Sequence, residues 1–146
     1  RSNKKGEVVI QTYSPDNAVI KNAKELKISE FYQKELIERK ELNYPPYSWL
    51  AKIEFSGPCK SKLISLTEKI NKNLKGKYVG LEILGPAPCF LEKLKNQFRY
   101  QLVLKSKKSS DPNGSNLHNF IYMNFKNKKL SGKNKIDIYF DPISLI

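Results

Sequence analysis

The sequence predicts an α+β fold: a β-α-β-β-α-β ferredoxin-like antiparallel sheet with helices on one face, preceded by a strand and two helices. Two observations predict it. From residue 49 onward, segments with alternating apolar residues, typical of half-buried strands, are interleaved with segments whose apolar residues recur every three or four positions, typical of amphipathic helices. Their order, strand, helix, strand, strand, helix, strand, is that of the split βαβ motif.

The first 42 residues predict one strand and two helices. Val8, Val9 and Ile10 form the apolar centre of a predicted strand over residues 6–13. The sequence Ser-Pro-Asp that follows is typical of a helix start and predicts a short helix over residues 17–26. A second helix is predicted over residues 29–42, with its first serine as a candidate cap.

Pro45 and Pro46 must end that helix, because two prolines fix φ and remove two backbone donors. We therefore place a domain boundary after Tyr47 and call residues 43–47 the connector. We expect Tyr44 and Tyr47 to pack the connector against the next domain rather than to bind a peptide. The six elements of the ferredoxin-like domain then follow in order. They are strands over residues 49–55, 78–84, 98–105 and 135–140, and helices over residues 61–74 and 115–126.

The composition of the chain limits the kinds of partner that it can be expected to bind. The chain has 27 Lys and Arg residues against 14 Asp and Glu, a formal charge of +13. Such an excess favours a polyanionic partner, although the abundance of Lys, Asn and Ile is also typical of AT-rich genomes. Cys59 and Cys89 form no metal-binding motif and are expected to be reduced structural thiols of a cytoplasmic protein. There is no apolar run of membrane-spanning length, so no membrane partner is expected.

No catalytic motif is visible. His118, the single histidine, lies beside the apolar stripe of a predicted helix and is expected to be a surface or half-buried residue rather than a general base. Phosphate-binding glycine loops are absent. An enzyme of the acylphosphatase type would need an anion-binding loop with an Arg, and none is seen.

The strand over residues 98–105 is the best binding candidate. Its Phe, Tyr and Leu side chains point to one face, and Arg99 points to the other together with Gln97 and Gln101. A guanidinium group suits bidentate recognition of a carboxylate or phosphate. The alternative is a solvent-facing strand with Arg99 paired to Asp137. Lysines on and around this face are candidate nucleic-acid ligands: Lys52, Lys93, Lys95, Lys105, Lys107 and Lys108.

Six sequence blocks, in order, resemble the PriA family of replication-restart helicases (primosomal protein N′) in its C-terminal region. The blocks are residues 6–12 with Pro15, residues 31–39, Tyr44-Pro45-Pro46-Tyr47, Leu84-Gly85-Pro86-Ala87-Pro88, Arg99-Tyr100-Gln101-Leu102, and residues 136–142. The resemblance implies a piece of a bacterial 3′-to-5′ DNA helicase. It implies a remnant of the second helicase lobe at residues 1–22, linking helices at 23–47 and a C-terminal domain at 48–146. The missing initiator Met agrees with this expectation.

The resemblance also implies partners. These are forked or single-stranded DNA, other primosome proteins, and the acidic tail of single-stranded DNA-binding protein, which the family holds with an Arg and a Gln four residues apart. Gln101 matches that Gln; the Arg position falls on Gln97, and Arg99 is the nearest substitute. ATP, magnesium and zinc are expected only in other parts of the parent protein. From the residues alone, a free-standing RNA-binding or ribosome-associated protein remains an alternative.

Overall fold

The structure is a computed structural model of the 146-residue chain and describes residues 6–76, 78–126, 128 and 130–143. It divides into two compact units, one reaching Glu38 and one starting at Arg39. The predicted domain limits at residues 22 and 47 stay predictions. Within the described residues, no helix is both long and apolar enough to cross a membrane.

In the first unit, α1 spans Ala18–Lys24 and α2 begins at Ile28 and runs on to Glu41. The predicted start of α1 is confirmed, because the Asn17 side chain accepts a hydrogen bond from the Val19 amide at 2.8 Å. The predicted strand over residues 6–13 is wrong: these residues have no regular structure and are exposed, with Val8 at 88%. A strand needs a neighbour to satisfy its backbone, and none of the described strands pairs with this segment.

The second unit contains a four-stranded antiparallel sheet. Its strands are β1 (Ser48–Gly57), β2 (Leu81–Leu94), β3 (Gln97–Lys107) and β4 (Lys135–Phe140), in the spatial order β2-β3-β1-β4. Helix α3 (Lys60–Leu74) connects β1 to β2, and α4 (Ser115–Phe125) connects β3 to β4. This order confirms the predicted ferredoxin-like arrangement.

The core lies between the sheet and the two helices. Alternate residues of β1 and β3, among them Ile53, Phe55 and Leu102, are fully buried against apolar side chains of α3 and α4 such as Leu63 and Phe120. Both helices therefore cover the same face of the sheet, as the apolar stripes predicted. The remaining residues of each strand lie on the opposite face, which we call the open face.

Strand β2 is much longer than predicted. The sequence predicted an end at Leu84, before a Gly-Pro-Ala-Pro stretch, but β2 continues to Leu94 through two irregularities in its pairing with β3. Proline is tolerated here because β2 is an edge strand. Gly85 has φ of 100°, and a Cβ atom there would lie 2.8 Å from the Gln101 carbonyl oxygen, so the glycine allows the close approach of β3.

Candidate nucleic-acid and partner interface

Three strands bring charged groups together on the open face. Lys52 and Glu54 lie on β1, and Arg99 lies on β3. In the register of the sheet, Glu54 faces Gln101 of β3 and Asp137 of β4. Arg99 is thus a diagonal neighbour of Glu54, a position that long side chains can reach.

Arg99 and Glu54 form a bidentate ion pair. Arg99 Nε donates to Glu54 Oε1 at 2.6 Å and Nη2 donates to Oε2 at 2.8 Å. The two side chains are only 21% and 6% exposed. These hydrogen bonds to the Glu54 carboxylate raise the pKa of Arg99. Arg99 is therefore paired with Glu54, and not with Asp137 as in the alternative interpretation of the sequence.

Lys52 completes this cluster. Its Nζ lies 3.9 Å from Glu54 Oε2 and 5.1 Å from the centre of the Tyr139 ring, and its side chain is 14% exposed. Two positive charges thus share the Glu54 carboxylate, and a second carboxylate, that of Asp137, lies at the neighbouring register position on β4. We call Lys52, Glu54 and Arg99 the charged triad.

Gln97 and Gln101 share the open face with Arg99, as alternation along β3 predicted. The Cys89 thiol donates to Gln101 Oε1 at 3.7 Å. Cys89 is 6% exposed, and burial, aided by the nearby Glu54 charge, raises the pKa of its thiol to about 11. Sequence reasoning treated this cysteine as a structural thiol but missed its place beside the triad, which depends on the irregular course of β2.

The predicted lysines do not form one patch. Lys95 forms the turn between β2 and β3 together with Asn96, both with positive φ, and Lys93 lies 5.2 Å from the Phe98 ring, on the helix-covered side. Lys107 is exposed at the other end of β3. The 11 residues of β3 separate these groups by roughly 36 Å.

The ammonium groups of Lys108 and Lys105 each lie over an aromatic ring. Lys108 Nζ lies 4.1 Å from the centre of the Trp49 ring. Lys105 is 5% exposed; its Nζ donates to the Leu42 carbonyl at 3.1 Å and lies 4.0 Å from the centre of the Tyr44 ring. The prediction that Lys105 contacts nucleic acid therefore needs correction, because the connector before β1 covers its ammonium group.

The connector is thus part of the same unit as the sheet. The Tyr44 amide donates to the Arg39 carbonyl at 2.7 Å, and Ser48 Oγ donates to the Asn43 carbonyl at 2.7 Å. These contacts hold the segment before β1 in a turn. The Tyr44 ring, which lies over Lys105 of β3, agrees with the expectation that this connector aromatic packs against the domain.

Comparison with known proteins identifies the family. A family model described as the primosomal protein N C-terminal domain matches residues 40–143. The replication restart protein PriA of Bacillus subtilis (strain 168) is 37% identical over 111 residues, which are 75% of this chain and 14% of that protein. PriA of Thermotoga maritima is 36% identical over 101 residues, 69% of this chain and 13% of that protein.

A longer match supports the same assignment. PriA of Chlamydia muridarum is 30% identical over 145 residues, 99% of this chain and 19% of that protein. The chain spans no more than a fifth of the length of these three relatives. The matched residues include every strand of the sheet and both helices that cover it. The chain belongs to the family of the primosomal protein N C-terminal domain.

Proposed function

We propose that this chain is the C-terminal module of a cytoplasmic replication-restart helicase. In this role it binds forked or single-stranded DNA, works with other primosome proteins, and contributes to holding the acidic tail of single-stranded DNA-binding protein. ATP, magnesium and zinc are expected to bind elsewhere in the full-length helicase. Membership in the PriA C-terminal family supports the role in replication restart.

The observation that carries the DNA-binding part is the charge of +13, with exposed lysines at both ends of β3. Lysines set on phosphates release condensed counterions, so binding does not require base-specific contacts. Groups about 36 Å apart at the two ends of β3 suit an extended backbone such as a DNA arm rather than a small anion.

The DNA-binding part is tested by fluorescence anisotropy of a labelled forked DNA at increasing salt. We expect the logarithm of the affinity to fall linearly with the logarithm of the salt concentration, and Lys95→Gln or Lys107→Gln each to reduce that slope by about 0.9 if it contacts a phosphate of duplex DNA. Lys72→Gln, which removes the same charge from α3, is the matched control. Absence of fork binding at low salt would contradict the proposal.

The charged triad supports the tail-binding part. The hydrogen bonds to Glu54 use Nε and Nη2 of Arg99, which leaves the Nη1 donors and the Lys52 ammonium for a carboxylate. Gln97 and Gln101 flank these cations with amide groups that can donate to the same ligand. We therefore expect a carboxylate of an acidic peptide to displace water and bind at the charged triad.

An acidic C-terminal peptide tests this site by anisotropy or calorimetry. Arg99→Ala combined with Gln101→Ala should weaken binding, whereas Lys34→Ala on α2 removes an exposed charge and should not. Unchanged affinity in the double variant would remove the site. Because loss of Arg99 leaves Glu54 buried without its principal partner, each variant is first checked for a cooperative thermal transition.

A further inference from the structure

A second surface lies where α4 meets β4, away from the charged triad. A groove of about 410 Å³ runs between the helix and the strand. Its walls combine rings, aliphatic side chains and a cation: His118, Ile121, Tyr122, Lys126, Ile138 and Phe140. None of these residues was among the predicted ligands, because the groove exists only once α4 is packed beside β4.

The aromatic rings at this groove are exposed to solvent, and two of them are in contact with each other. His118 and Phe140 stack with their centres 4.0 Å apart and their planes 5° apart. Phe140 is 41% exposed and Tyr122 is 58% exposed. Exposed aromatic rings beside an aliphatic floor are the type of surface on which nucleic-acid bases stack, since every base has an apolar ring face.

The charge of the groove favours an anionic ligand. Lys126 Nζ donates to the Tyr122 hydroxyl and lies 4.0 Å from the centre of its ring. Among the described residues that line the groove there is no carboxylate. A second groove, of about 610 Å³, shares Lys126 and Ile138 with the first. It adds Lys128 and Lys135 and, within the described lining, one carboxylate, that of Asp137.

The two grooves therefore form one track along β4, with rings at one end and lysines at the other. An extended peptide pairing with β4, which is an edge strand among the described strands, is the main rival occupant. The rings and the surplus of lysines fit a chain of alternating bases and phosphates better, because a peptide edge offers neither repeated ring faces nor a regular negative charge.

We propose that this track binds a segment of single-stranded DNA, with bases stacked at Tyr122 and Phe140 and phosphates beside Lys126, Lys128 and Lys135. The inference rests on the proposed function, because it gives a location to the contact between this domain and the single-stranded part of a fork. It also separates the surfaces of the domain: the charged triad for an acidic peptide, the lysines at the ends of β3 for a duplex arm, and the α4–β4 track for single-stranded DNA.

Anisotropy of a labelled single-stranded oligothymidylate with the 146-residue chain tests this proposal. We expect Tyr122→Ala and Phe140→Ala each to weaken binding about 5- to 100-fold, the range for loss of one stacked base, without changing the salt slope. Lys126→Gln should instead reduce the salt slope by about 0.7. Tyr32→Ala on α2, a tyrosine of 60% exposure, and Lys72→Gln on α3 are the matched controls.

The outcomes separate this inference from the proposed function. If the chain binds oligothymidylate and forked DNA but the groove variants match their controls, the track assignment is overturned and the proposed function stands. If the unmodified chain binds neither DNA, both fail. A loss of affinity for an extended peptide, with DNA affinity unchanged, would assign the track to the rival occupant. Should Phe140→Ala fail to fold, Tyr122, which is 58% exposed, still permits the test through Tyr122→Phe, which keeps the ring, and Tyr122→Ala, which removes it.

Discussion

The two faces of the sheet are made from the same strands but are stabilised by different interactions. On the helix-covered face, Ile53, Phe55 and Leu102 are 0% exposed and belong to the apolar core. On the open face, Glu54 and Lys105 are 5% exposed, and each is held by a charged or carbonyl partner. Burial on the first face removes hydrocarbon from water, whereas burial on the second requires each charge to be matched.

This difference teaches that an uncovered sheet face need not be a freely accessible one. The connector covers the Lys105 ammonium group with the Tyr44 ring, and two of the three nitrogens of the Arg99 guanidinium donate to Glu54. A buried ion pair adds little net stability compared with apolar residues, but loss of one partner is costly. The open face thus restricts how its cations can meet a ligand, and the helix-covered face supplies most of the stability.

The largest expected effect lies on the helix-covered face. Leu102→Ala should lower the free energy of unfolding by about 2–5 kcal/mol, because it removes buried methyl groups and leaves a cavity. Leu84→Ala makes the same change on the open side of β2, where Leu84 is 38% exposed. Urea denaturation of both variants measures the contrast; equal losses would show that the two faces contribute alike.

The ion pair should produce a smaller effect. Arg99→Gln should destabilise the fold by about 2–3 kcal/mol, because Glu54 would stay buried beside Lys52 alone. A double-mutant cycle with Glu54→Gln isolates the pair, and the double variant should be more stable than the sum of the single losses indicates. Strict additivity would show that the two groups do not interact in solution.

The buried thiol predicts a pH dependence. Burial raises the pKa of Cys89 from its usual 9.0 to about 11, so the folded state keeps a proton that the unfolded state loses between these values. Stability is then fully present below pH 9 and falls as the pH rises through 11, by about 2–3 kcal/mol for this group. The melting temperature should fall less steeply with pH in Cys89→Ala than in the unmodified chain. Identical slopes for the two proteins would show that the thiol does not cause the pH dependence.

Local patterns predicted most of the fold. The limits of β4 were predicted correctly, because Ile136 and Ile138 alternate with polar residues, and the apolar stripe of α3 placed that helix within one residue of its start. The course of β2 was missed because Gly85 and Pro86 are read as a break, although an edge strand accepts them. The strand over residues 6–13 was predicted wrongly because its apolar run says nothing about whether a partner strand exists.

The candidate site was less predictable, since it depends on which partner each charge finds. Alternation placed Gln97, Arg99 and Gln101 on one face, but the only carboxylate it offered Arg99 was Asp137, whereas the structure pairs Arg99 with Glu54. That pairing follows from the diagonal register of β1 and β3. Burial of Lys105 depends on the path of the connector, and no pattern in β3 predicts it.

The most direct test is the affinity of an acidic C-terminal peptide for three proteins: the unmodified chain, Arg99→Gln and Glu54→Gln. If Arg99 is the anion-binding group and Glu54 is its internal competitor, Arg99→Gln should weaken binding and Glu54→Gln should strengthen it several-fold, because removal of the carboxylate releases Nε and Nη2 for the ligand. Equal affinities for all three folded proteins would contradict a partner site at the charged triad.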